Sequence, residues 1–260
     1  MKHRRLAYLP LLLLLFLTSC APPDAYHELS QALTAIQEGR LSDGLIHSEI
    51  CLRSLPNDTN VLLLNGYCQM MLSPDPNYKS AALFNLEKAS RNSGTYAANL
   101  LYGWALCENK LYREAIPVLE KALEQMPPSA PQKGAILLLL SRCCVQSNLQ
   151  EQGMRYSQPL RIYKPYRNWP EVYNNLGMLA LKRADYQEAD RCFQQALRLS
   201  PHDPRLLQNL AVLHDLYLND SRKARGYYLD FMATARIQDN RELYLQVQKR
   251  VGQLAQRMKR

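Results

Sequence analysis

Between residues 170 and 203 the chain reads PEVYNNLGMLALKRADYQEADRCFQQALRLSPHD, and its apolar and small positions fall into two runs. Tyr173, Leu176, Gly177 and Ala180 form the first; Ala189, Phe193, Ala196 and Leu197 form the second. Steps of three and four keep each run on one helix face. Ala184-Asp185 separates them as a turn, and Pro201 stops the second run. The pattern predicts a helical hairpin of 34 residues.

The same alternation returns along the chain. Residues 96–127 match it in register through Gly103, Ala115, Leu119, Ala122 and Pro127. Residues 204–239 repeat it through Leu207, Leu210, Ala211, Ala224 and Tyr228. Weaker copies occupy 25–58, 59–95 (with SPDP inserted near the turn) and 130–169, the most degenerate, where YKPYRNWP at 163–170 reads as an extended linker. Periods of this length mean stacked repeats. The expected fold is all-α: a superhelical solenoid of about six hairpins over 25–239, followed by a separate helix over 240–260. In that last segment Tyr244, Val247, Val251, Leu254 and Met258 make a narrow apolar stripe with a basic back. A repeat array needs an end covered by a polar-faced cap, which is the reading preferred for this helix; a membrane-surface helix is the alternative.

Small residues where two helices must approach closely, Gly103, Ala115, Gly177 and Ala189, with Phe193 filling a gap and Pro201 closing the unit, resemble the tetratricopeptide repeat. That resemblance implies a groove lined by the first helix of each hairpin, which binds an extended peptide or a helix of a protein partner. By register the groove would show Leu100, Trp104, Cys107 and Glu108, then Asn174, Met178, Leu181 and Lys182, then Gln208, Asn209, Val212 and Asp215. Asn174 and Asn209 would hydrogen-bond a ligand backbone, and Trp104 would supply an apolar anchor. The Lys/Asn clamp that some members use for a C-terminal carboxylate is not evident.

The N-terminus has a different pattern. Lys2, Arg4 and Arg5 precede an apolar run from Leu6 to Leu17, and Thr18-Ser19 are small. This is the order of a secretory signal peptide, and the run is short for a bilayer span. Leu17-Thr18-Ser19-Cys20 resembles the bacterial lipobox, which implies cleavage after residue 19 and a multiply acylated Cys20 at the head of a linker over 20–24. Ala21, in place of aspartate, implies the periplasmic face of the outer membrane.

Composition adds little to the fold and more to the partners. Net charge is +9 in total, with ten Lys/Arg against three acids in residues 222–260 and nineteen against twenty in 20–221. The basicity therefore sits in the tail, as an ordinary solvated face or as a contact for anionic headgroups or an acidic partner. An exported chain rarely meets nucleic acid, so no nucleic-acid partner is expected. Past the leader, the histidines His27, His47, His202 and His214 have no i, i+4 pairing, and phosphate-loop, dinucleotide and nucleophile-elbow motifs are missing. A non-enzymatic protein without cofactor, metal or small-molecule substrate is expected. Six cysteines follow Cys20; they read mainly as buried thiols, with a bridge from Cys107 to Cys143 or Cys144 left open. Lipobox and repeats together resemble the tetratricopeptide lipoproteins of envelope machines, the TadD type of tight-adherence pili and the pilotins of type IV pili. The function expected is assembly of a pilus or secretin; the alternative is a scaffold recruiting periplasmic cell-wall enzymes or proteases.

Overall fold

The computed structural model describes residues 23–72, 76–127, 130, 132–164, 166–236, 238 and 240–258. The signal segment and Cys20 lie outside them. Among the described residues there are thirteen α-helices and no strand. They are α1 (Pro23–Gln37), α2 (Leu41–Ser54), α3 (Thr59–Leu72), α4 (Pro76–Ser93), α5 (Tyr96–Glu108), α6 (Tyr112–Gln125), α7 (Lys133–Ser147), α8 (Gln150–Ser157), α9 (Pro170–Lys182), α10 (Tyr186–Leu199), α11 (Pro204–Val212), α12 (Ser221–Thr234) and α13 (Arg241–Arg257). The fold is an all-α helical repeat, and the pairs α1/α2 to α11/α12 follow the six sequence copies. Contacts divide the chain into two compact units, the first ending at Cys143 and the second starting at Cys144, within α7.

The turns inside five of the hairpins are built the same way. Gly39, Lys110, Asn148, Ala184 and Asn219 all have positive φ, between 54° and 78°. Each stands two residues before the second helix of its pair, α2, α6, α8, α10 or α12. The left-handed residue reverses the chain, and the next position is the N-cap of the new helix, with a side-chain cap bond at Asp185 and Asp220. Asp185 shows the cap best, its side chain accepting from the Glu188 amide at 3.1 Å. Asp220 does the same for Lys223 at 3.0 Å.

In three hairpins close helix contact depends on glycine. A Cβ placed on Gly103 would lie 2.5 Å from Leu119, one on Gly66 2.6 Å from Leu86, and one on Gly177 2.6 Å from Phe193. Any larger side chain would push the two helices apart. The interval between glycine and opposed residue is 16 positions in α5/α6 and α9/α10 and 20 in α3/α4. The excess of four matches the inserted SPDP. Ala115 and Ala189 are fully buried beside these contacts, whereas Pro201 is exposed in the turn after α10.

The stretch 163–170 departs from the extended linker expected of it. The short α8 is followed by 3-10 turns at Gln158–Arg161 and Tyr166–Asn168. Ring centroids of Tyr163 and Tyr166 are 6.1 Å apart, and those of Tyr166 and Trp169 4.8 Å. Tyr166 is buried. Aromatic packing compacts this segment.

In the second unit α13 packs on α12. Val247 and Leu254 enter a core with Leu207, Ala211, Ala224, Tyr228 and Phe231, and Leu243 and Val251 flank it. Met258, expected in the same stripe, is 45% exposed as the C-cap just past the end of α13.

Candidate functional site

The first helices of the two units present different faces. In the first unit, α3 is buried from Val61 to Met70 without a break, and α5 from Ala98 to Cys107 except at Tyr102. Leu100 is 0% exposed and Trp104 7%. The Trp104 ring is tilted against Tyr67 on α3, with centroids 6.3 Å apart. Leu100, Trp104 and Cys107 are therefore core residues, not the groove lining that register implied. The physical reason is direct contact of α5 with α3, which sets Tyr67 against Trp104, and of Cys107 with Cys143 on α7. Glu108 is half-buried, and its carboxylate accepts from Arg142 at 2.7 Å.

In the second unit Asn174, Met178, Leu181 and Lys182 on α9 and Gln208, Asn209 and Val212 on α11 are all half-buried. The Asn209 amide donates to the Asn174 side-chain oxygen at 2.8 Å, joining the two helices. Met178 and Val212 pack their inner sides on the core while keeping part of their surface outside. Lys182 is engaged elsewhere: its ammonium donates to the Val145 carbonyl at 2.7 Å and to Asn148 at 2.6 Å. A cation at the carbonyl end of α7 offsets that helix's negative pole. What remains is a small mixed surface of Asn174, Asn209 and Gln208 with three apolar side chains, Met178, Leu181 and Val212, which can offer hydrogen bonds to an extended backbone and a patch to an apolar side chain.

Asp215, also assigned to the groove by register, is instead 4% exposed. It lies in a π-helical turn over Leu213–Tyr217 in which Leu213, His214 and Asp215 are all buried. Arg250 of α13 holds Asp215 through two hydrogen bonds of 2.7 Å, and the Tyr228 hydroxyl donates to it at 3.3 Å. Burial, then the Asp215 charge, pushes the Tyr228 hydroxyl up to about 12. His214 Nε2 lies 3.0 Å from Asp190, and its ring stacks on Tyr227 at 5.5 Å. Sequence reasoning missed both clusters. The signal available was His214-Asp215 standing between apolar residues Leu213 and Leu216, an adjacent polar pair at a point where the register slips.

Among the described residues, no group of three or more His, Cys, Asp or Glu is placed to hold a metal ion. No helix there is long and apolar enough to cross a membrane. Burial pushes the Cys51 thiol up to about 11 and those of Cys68 and Cys192 to about 12, leaving all three protonated and poorly nucleophilic at neutral pH.

Residues 170–203 match the family model of the tetratricopeptide repeat, and the fold around them is that of tetratricopeptide-repeat proteins. The crystal structure of PilW, described as a widely conserved type IV pilus biogenesis factor, aligns with a TM-score of 0.66 at 17% identity, over 82% of this chain and 94% of that one. PilF of Pseudomonas aeruginosa aligns with a TM-score of 0.62 at 19% identity, over 86% and 96%. YrrB, described as a repeat protein with an unusual peptide-binding site, gives 0.55 at 19% identity, over 78% and 97%. No curated protein matches the sequence.

Proposed function

We propose that the protein is a non-enzymatic adaptor that holds an extended segment of a protein partner on the α9/α11 face. Its place would be the periplasmic side of the outer membrane, anchored through an acylated Cys20, and its task the assembly of a pilus or its secretin. The observation that carries the adaptor reading is the Asn174–Asn209 pair, flanked by Gln208, Met178 and Val212 on adjacent first helices. Amides and partly covered apolar groups side by side suit a backbone and one of its side chains. The likeness to PilW and PilF over nearly their whole lengths supports the pilus assignment, and the lipobox-like Leu17–Cys20 supports the anchor.

The test is recovery of partners from solubilised envelopes with the full chain as bait, followed by mass spectrometry. Wild type should recover a secretin or pilus-assembly component, and an Asn174→Ala/Gln208→Ala/Val212→Asp variant should recover it at least about tenfold less, a loss of roughly 1.4 kcal/mol. Labelled palmitate should enter wild type and not Cys20→Ser. Recovery unchanged by the triple variant would remove the face from the reading; equal labelling would remove the anchor.

A further inference from the structure

Two fully buried cysteines face each other in the first unit. Cys107, in the last turn of α5, and Cys143, on α7, bring their sulfur atoms to 2.9 Å, and either thiol can donate to the other. The residues beside them, Glu108 and Arg142, form an ion pair at 2.7 Å across the same two helices. Two successive bridges therefore fix the register of α5 against α7 at this point. The other thiols with recorded contacts have different neighbours: Cys51 points to the Ala25 carbonyl at 3.5 Å, and Cys192 to Glu188 at 3.5 Å.

We propose that Cys107 and Cys143 are a disulfide site, oxidised in an oxidising compartment and linking α5 to α7 around α6. The two S–H bonds break and one S–S bond forms. The two electrons and two protons go to a disulfide-bearing oxidant, a protein or small-molecule disulfide, which leaves as two thiols. With both sulfurs buried, the exchange takes place before α5 and α7 pack or during local opening. The bridge closes a chain segment that includes α6, and by restricting the unfolded chain it raises the stability of the first unit. Sequence spacing left Cys143 and Cys144 as equal candidates; the geometry selects Cys143. The inference stands apart from the pilus reading, because it concerns the folded chain alone.

The experiment refolds the full chain in detergent with a glutathione redox buffer, alkylates it under denaturing conditions without reductant, and maps its peptides. The expected result is a linked pair of peptides carrying Cys107 and Cys143, lighter by two hydrogens than their reduced sum, with Cys51, Cys68, Cys144 and Cys192 alkylated. Adding dithiothreitol should lower the Tm of this wild-type protein by roughly 5–10 °C. Cys107→Ala and Cys143→Ala should each melt near the reduced wild type and ignore the reductant. Alkylation of both Cys107 and Cys143, a link from either to any other cysteine, or a wild-type Tm indifferent to reductant would each overturn the proposal. The mapping needs no variant, so a poorly folding mutant leaves the test intact.

Discussion

Ala184 holds φ at +60°, a conformation in which a Cβ crowds the following carbonyl. It is exposed in the turn between α9 and α10, so nothing but the backbone opposes a change there. Gly39, at the equivalent place in the first hairpin, takes the same region without that cost. Ala184→Gly should therefore stabilise the protein by about 0.5–1 kcal/mol, relief of strain outweighing the added freedom of the unfolded chain. Denaturant unfolding of the two proteins side by side checks it; a destabilised variant would mean that the turn is held by more than its dihedral. At this scale the sequence was readable where a residue's size decides the matter. Gly103 and Gly177 stood out as points of close approach, and Phe193 as the side chain that fills a gap, because a small residue opposite a large one lets two helices touch. The strained turn was not readable, since alanine and lysine do not announce a positive φ.

Each element can be judged by what its ends and faces meet. The apolar stripe of α13 was visible from its spacing, but the ionic contact that seats it was not. Arg250 read as one more charge of a basic tail; in the structure it is the partner of a buried carboxylate. Asp215 stands in the π-helical turn, and a one-residue widening of a helix leaves no mark in hydrophobic periodicity. Arg250→Gln should strand the Asp215 carboxylate and cost about 1–3 kcal/mol, with amide exchange in α13 rising first. Asp215→Asn combined with Arg250→Gln should recover part of that loss, because no buried charge is then left without its cation. A double variant as unstable as the sum of the singles would show that the pair contributes nothing of its own. The 163–170 stretch tells the same story: prolines and aromatics suggested an open connector, and ring packing closed it.

For the molecule as a whole, repeat number and hairpin order were legible because both follow from local periodicity. The interaction face was legible only in part. Register says which residues share a side of a helix; it does not say whether a neighbouring helix already covers that side. On α5 one does, so Leu100 and Trp104 became core, while on α9 and α11 the same register positions stay half-open. Contacts run mainly between consecutive helices, so damage should remain local. Gly103→Val should force α5 from α6, costing about 1–3 kcal/mol as overpacking does. Hydrogen exchange should then accelerate in α4, α5 and α6 while α1 and α2 keep their protection. Uniform acceleration throughout the first unit would instead show that it opens as one cooperative block.

The close approach of Gly177 to the Phe193 ring has a consequence for how such a chain varies over generations. The two positions are heritable as a pair. A lineage that acquires alanine at 177 needs a smaller side chain at 193, and one that keeps the phenylalanine keeps the glycine. The same bond of inheritance joins Gly103 to Leu119 and Gly66 to Leu86. Among descendants of this sequence, size at these places should drift in opposite directions, and the drift should carry the 16- and 20-residue intervals of the hairpins with it.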